Sequence, residues 1–216
     1  MGQDRLLTGK GRSDDIESGS NWADVLALPP MPEPDYRGMR SEACYGNCLV
    51  LTLIVLFVAP VHMSYTSDTV MYLLLIYAEA IIAIVALLGL MWGDPGTIKR
   101  TPQTCFPLPG AIAEQLRAGH RNLIGSGRAG NIHERGRTFC VRCLVWRHNE
   151  TVHHCRTCQR CVADFDHHCG VFGRCIAGEG FAGNMGYFKT LILMFFAGFG
   201  TWASFMGAAY PSSSSY

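Results

Sequence analysis

The sequence has little charge: 16% of its 216 residues are Asp, Glu, Lys or Arg, against about 25% in an ordinary soluble chain. It also lacks an excess of either sign, with 18 basic and 17 acidic side chains, so nothing in the balance calls for a nucleic-acid partner. No internal repeat stands out. No glycine-rich run ends in the Gly-Lys-Ser/Thr of a phosphate cradle, and no apolar run lies near the start, where a secretory signal would place one. The composition excludes collagen, coiled coil and a wholly disordered chain. Charge is missing altogether from residues 43 to 67 and from 190 to 210, and between Thr69 and Gly93 only Glu79 carries one.

These three segments are long and apolar enough to cross a hydrocarbon core of about 30 Å. They predict an α-helical polytopic membrane protein with transmembrane helices at 43–67, 69–93 and 190–210. Trp92 sits where an interface is expected, and Asp94-Pro95-Gly96 ends the second helix, because Pro cannot continue the hydrogen-bond ladder. Seventeen of the eighteen Lys and Arg residues lie before residue 43 or between 94 and 188. The positive-inside rule therefore puts both regions in the cytosol and the end at 211–216 on the far side. Residues 1–42, with five basic and eight acidic side chains, read as a flexible cytosolic tail. Residues 94–134, with Pro102, Pro107, Pro109 and the run GSGRAGN at 125–131, read as a cytosolic linker. Glu79 is a functional candidate by the cost of a carboxyl in a membrane, or a hydrogen-bond partner for a neighbouring helix. Pro60 and His62 read as packing or a kink. Cys44 and Cys48, one helical turn apart at the cytosolic interface, suit either acylation or apolar packing.

Seven of the ten cysteines lie between Cys140 and Cys175, interleaved with histidines. That density points to metal chemistry in a reducing compartment rather than to a disulfide framework. Zinc takes four tetrahedral ligands from thiolate and imidazole, and Cys-x-x-Cys spacing brings two thiolates to one ion. The segment offers Cys140, Cys143, His148, His153, His154, Cys155, Cys158, Cys161, His167, His168, Cys169 and Cys175. Two Cys3His ions use eight of these twelve and leave one Cys and three His, and a spare Cys beside a spare His is what a thiol nucleophile needs.

Asp166-His167-His168-Cys169 and the cysteine spacing before it resemble the DHHC cysteine-rich domain of the zinc-containing protein S-acyltransferases, the palmitoyltransferases. Asp94-Pro95-Gly96 resembles that family's Asp-Pro-Gly element, and Asn184 with Phe188 its Asn-x3-Phe. The resemblance spans residues 43–210, with a cysteine-rich zinc domain at 135–188. It implies one zinc on Cys140, Cys143, His154 and Cys161, and a second on Cys155, Cys158, His168 and Cys175. Cys169 is then the nucleophile, His167 its base and Asp166 the group orienting His167. The implied reaction has two steps: Cys169 takes a long-chain acyl group such as palmitate from acyl-CoA, and a membrane-proximal cytosolic cysteine of a substrate protein then receives it. The implied location is the endomembranes (Golgi or endoplasmic reticulum) or the plasma membrane, with the bilayer as the further partner. Arg137, Arg142, Arg147, Arg156, Arg160 and Arg174 are candidates for the phosphates of coenzyme A, or a solvated basic face.

The chain departs from the family pattern in four places, two of them spacings: ten residues instead of nine between Cys143 and His154, and nine positions instead of five from Cys175 to Asn184. After the Cys169 position the family has Pro-Trp-Val-Asn-Asn, and this chain has Gly170-Val171-Phe172-Gly173-Arg174. The family's fourth helix and Thr-Thr-x-Glu element lie beyond the third span, so the end at 211–216 reads as truncated. Two alternatives follow: a catalytically inactive fragment or zinc-stabilised membrane scaffold of the same family, and more remotely a membrane-anchored RING-type ubiquitin ligase. The last would need a closing Cys-x-x-Cys pair, which Cys169 and Cys175 do not make.

Overall fold

The structure is a computed structural model that describes residues 21–119, 131–134 and 136–210. The tail read at 1–20, residues 125–130 of the glycine-rich run and the end at 211–216 lie outside the described residues. The chain forms two compact units, one from residues before 35 together with 97–163, the other from 35–96 together with the residues after 163.

The first unit is a small core closed by short helices. Helix α1 (Trp22–Ala27) starts at a capping box: Asn21 Oδ1 accepts from the amides of Ala23 and Asp24, and the Asp24 carboxylate accepts from the Asn21 amide at 3.1 Å. Its Val25, and Leu28 beyond it, are buried. The expectation of a flexible tail up to residue 42 is therefore corrected for residues 21–42, which carry α1 and the start of a long helix. The linker expectation is corrected in the same way. Thr97 bridges to Val162, the Ile98 amide donates to the Cys161 carbonyl at 2.8 Å, and helices α4 (Pro102–Cys105) and α5 (Gly110–Arg117) follow. Pro102 opens α4, where a missing N–H costs nothing. Phe106, Leu108 and Ile112 pack with Phe139, Leu144, Val145 and Trp146 in one buried cluster. Burial of each large apolar side chain there is worth roughly 1.5–3 kcal/mol, enough to hold a proline-rich segment in place. Strands β1 (Ile132–Glu134), β2 (Arg137–Cys140) and β3 (Val145–Arg147) form an antiparallel sheet, and β4 (His153–Cys155) pairs with β5 (Arg160–Val162).

The second unit holds the membrane helices α2 (Tyr36–Ser64), α3 (Val70–Trp92) and α6 (Met185–Ala209). Among the described residues three helices are long and apolar enough to cross a membrane, which makes this a multi-pass membrane protein. Helix α2 begins seven residues before the expected span, because Asp35 caps it through the Gly38 amide at 2.9 Å and Arg37, Arg40 and Glu42 continue it. The helices pack through small residues. A Cβ on Gly89 would strike the Tyr187 ring, so glycine is what lets α3 and α6 approach. His62 Nδ1 meets the Tyr77 hydroxyl at 3.0 Å, and Thr201 Oγ1 donates to Glu79 Oε1 at 2.9 Å. Glu79 thus bonds a neighbouring helix, the plainer of its two readings. The unit also carries the hairpin of β6 (Phe165–Cys169) and β7 (Arg174–Ala177). Asn184, fully buried, accepts from the Ala177 amide at 2.9 Å and donates to the Cys175 carbonyl at 2.8 Å, so it staples β7 to the start of α6.

Candidate metal and thiol centre

Three hairpins carry the cysteines, and their tips share one design that the sequence reading did not detect. In each, a cysteine ends the first strand and pairs across four residues with the start of the second: Cys140 with Val145, Cys155 with Arg160, Cys169 with Arg174. The last of those four residues is left-handed every time, Leu144 at φ 54°, Gln159 at 51° and Gly173 at 63°. One rung back from the tip stands a cross-strand pair: Phe139 with Trp146, His154 with Cys161, His168 with Cys175. The third residue of the tip is Cys143, then Cys158, then Phe172. So the first hairpin has a two-cysteine tip and an apolar pair, the second has a two-cysteine tip and a His/Cys pair, and the third has a His/Cys pair but a tip with only Cys169.

In the first unit, the first tip and the second hairpin's pair meet. The ligand atoms of Cys140, Cys143, His154 and Cys161 lie within 4.8 Å of one another, and His154 Nδ1 is 3.7 Å from Cys140 Sγ and 3.2 Å from Cys143 Sγ. A tetrahedral zinc with bonds of about 2.0–2.3 Å spaces its ligands by about 3.5–3.8 Å, so the donors fit zinc in identity and spacing. Their electrostatics favour a cation. With the three sulfurs hydrogen-bonded to one another, Cys140 is held well below the usual thiol range by bonds from Cys143 and Cys161, while Cys143 is pushed up to about 12, chiefly by its bond to ionised Cys140. Cys161 is pushed up for the same reason. Three thiolates share this site only when a metal offsets their charge.

The other donors expected as a Cys3His set are split between the units, Cys155 and Cys158 in the first and His168 and Cys175 in the second. Each half is arranged within its own unit. The Cys158 amide donates to Cys155 Sγ at 3.3 Å in the second tip. In the third hairpin His168 Nδ1 lies 4.0 Å from Cys175 Sγ, and His168 Nε2 is 3.4 Å from the Glu42 carboxylate. A carboxylate on the far nitrogen is the usual support of a metal-bound imidazole, because it fixes the tautomer and the ring plane. Glu42 was assigned to the tail by sequence, and no signal marks it, since it lies 126 residues from His168.

The strand geometry of β6 sorts the Asp-His-His-Cys motif. Side chains alternate across a strand, so His167 and Cys169 share one face while His168 points to the other, toward Cys175. Asp166 would fall on the His168 face in a regular strand. It is instead the extra residue of a β-bulge, because Phe165 pairs with Ala177 and His167 with Ile176, the next residue along. That kink lets the Asp166 carboxylate reach His167 Nδ1 at 2.6 Å. Phe188 stands edge-on to the His167 ring at 5.6 Å. Cys169 is buried, 9% exposed, in a cluster with Ala83, Ala86, Leu87 and Leu90 of α3, Leu191 of α6 and Phe172. Gly173 is fixed twice, by its left-handed φ and because a Cβ there would strike the backbone of Met39.

Residues 133–215 match the family model for the DHHC palmitoyltransferase. The match covers less than half of the chain. No curated protein matches the chain. The matched region takes in β2–β7 and helix α6, hence all three hairpin tips. Four of the six arginines expected to meet coenzyme A have partners within their own unit. Arg137 lies over the Trp146 ring at 4.8 Å, Arg147 donates to Asn131, Arg160 donates to the Pro32 carbonyl, and Arg174 donates to the carbonyls of Met91 and Gly93. Each of these four serves its own unit. His148 and His153 are exposed, as expected of the two left over.

Proposed function

We propose that this chain is a protein-cysteine S-palmitoyltransferase that works through an acyl-Cys169 intermediate. The supporting observation is the third hairpin tip, where a cysteine stands in the position of a zinc ligand without the second cysteine, on the same strand face as a histidine bonded to aspartate. With Asp166 on Nδ1–H, His167 is held in the tautomer whose Nε2 accepts a proton. Nε2 takes the Cys169 proton, Cys169 Sγ attacks the thioester carbonyl of a long-chain acyl-CoA, and coenzyme A leaves as its thiol after reprotonation. A cytosolic cysteine of a membrane-proximal substrate protein then attacks acyl-Cys169 and releases it. The apolar surround of Cys169, made by the membrane helices, suits the acyl chain, whose burial is worth about 0.8 kcal/mol per methylene.

Two zinc ions are structural in this reading, one on Cys140, Cys143, His154 and Cys161, the other on Cys155, Cys158, His168 and Cys175. The repeat supports the second: the first two-cysteine tip meets the His/Cys pair of the hairpin that follows, and the second would use the third hairpin's pair in the same way. Among the described residues no hairpin follows the third tip, and in this reading its thiol is the one used for chemistry. Zinc fixes the geometry here, and Cys3His carries a net negative charge that does not itself activate a thiol. The cysteine-rich domain faces the cytosol, the bilayer being that of an endomembrane or the plasma membrane. The test is hydroxylamine-sensitive labelling of the purified chain by a palmitoyl-CoA analogue, wild type beside Cys169→Ser, with zinc quantified in both. Label on the wild type alone at equal zinc supports the enzyme. Equal zinc with no label on either leaves the scaffold or inactive reading.

A further inference from the structure

Arg174 occupies the place where the family pattern has Asn. It is the direct cross-strand partner of Cys169, and its guanidinium donates to the carbonyls of Met91 and Gly93 at the end of helix α3. The last carbonyls of a helix have no partner within it, and a cation at that end is favoured by the helix dipole. The planar fork of Arg reaches two acceptors at once, which Lys cannot do from one ammonium without losing geometry. Residues directly opposite in an antiparallel pair share a face, so Arg174 and Cys169 both turn toward α3, whose Ala83, Ala86, Leu87 and Leu90 pack in the same cluster as Cys169.

We infer that Arg174 is a positioning residue for the nucleophile: by clamping the end of α3 from the rung beside Cys169, it sets where the thiol stands against the membrane helices. The inference rests on Cys169 being the acyl carrier. It differs from the phosphate-binding role that an arginine at this place could also have, because a guanidinium committed to two backbone carbonyls fixes a strand rather than a donor molecule.

The experiment is single-turnover acylation of the full chain in detergent or nanodiscs by palmitoyl-CoA, for wild type, Arg174→Met and Arg174→Lys, with zinc content measured for each. The expected result is a maximal acylation rate roughly tenfold lower in R174M, an apparent KM for palmitoyl-CoA within twofold of wild type, unchanged zinc, and an intermediate rate in R174K. The pH profile keeps its midpoint while its plateau falls. A wild-type rate in R174M overturns the inference, and so does a raised KM at unchanged maximal rate, which would make Arg174 a donor contact. If R174M does not fold, R174K carries the test, and a wild-type rate there overturns the inference. If the wild type takes no label, the acyltransferase reading fails separately. The alkylation rate of Cys169, followed by mass spectrometry, then reads its placement: an altered rate in the variants supports the clamp, and equal rates overturn it.

Discussion

The second and third hairpins are built alike, and in the proposed function they do different work. Both place a cysteine at the end of the first strand, Cys155 and Cys169, and both carry a His/Cys pair one rung back. At the third tip position the second hairpin has Cys158 and the third has Phe172, an aromatic ring buried with Cys169 against membrane helices. In the proposed reading the nucleophile arises by subtraction: remove one thiol from a two-cysteine tip, and the remaining thiol keeps its placement at the strand end but loses its claim on a metal. The histidine beside it changes role with the strand face. His154 and His168 turn toward cysteines, while His167, one residue earlier than His168, turns with Cys169 and is held by Asp166.

Breaking the metal side of this comparison has the largest expected effect. Cys161→Ala removes a ligand from the site within the first unit, and structural zinc in small domains is worth about 10–16 kcal/mol of binding that is also folding. Metal analysis should show at least one zinc lost per chain, limited proteolysis should cut within residues 131–163, and acyl labelling should vanish. His167→Ala breaks the other side. It should leave zinc unchanged and lower the acylation rate by about 10²–10⁴; an equal loss of zinc would assign His167 to the metal instead. Phe172→Cys converts the third tip to the design of the second. Loss of the ring should cost roughly 3 kcal/mol, seen as a lower unfolding midpoint, and metal titration should show added uptake at the new thiol pair. Asp166→Asn is the mildest: Asp166 is 58% exposed, so its replacement should slow acylation by about tenfold without changing zinc.

The membrane helices were legible in the sequence because charge is excluded from long apolar runs, a signal that needs no tertiary information. The start of α2 was not, since Arg37, Arg40 and Glu42 extend a helix past its apolar part. Helix α1 and residues 97–119 look like tail and linker in the sequence because Val25 and Leu28, or Phe106, Leu108 and Ile112, are too few and too interrupted by Pro to announce a core. They are buried only because the hairpins offer Phe139, Leu144 and Trp146 as partners. The donor residues of the site were legible as a count of cysteines and histidines, and their division into sets came from a resemblance. The threefold hairpin design escaped notice because its strands are three to five residues long and alternate ligands rather than apolar and polar residues. The bulge at Asp166 and the approaches of Glu42 and Arg174 depend on distant parts of the chain meeting, which no local pattern encodes.

The central claim is that the third tip stands outside the metal chemistry. It is tested most directly by alkylating the native, zinc-loaded chain with a thiol reagent, digesting it, and mapping the modified cysteines by mass spectrometry. The account predicts modification at Cys169, suppressed by prior incubation with palmitoyl-CoA, and protection of Cys140, Cys143, Cys155, Cys158, Cys161 and Cys175 until zinc is chelated. Protection of Cys169 that is lifted only by the chelator would make it a zinc ligand and contradict the account.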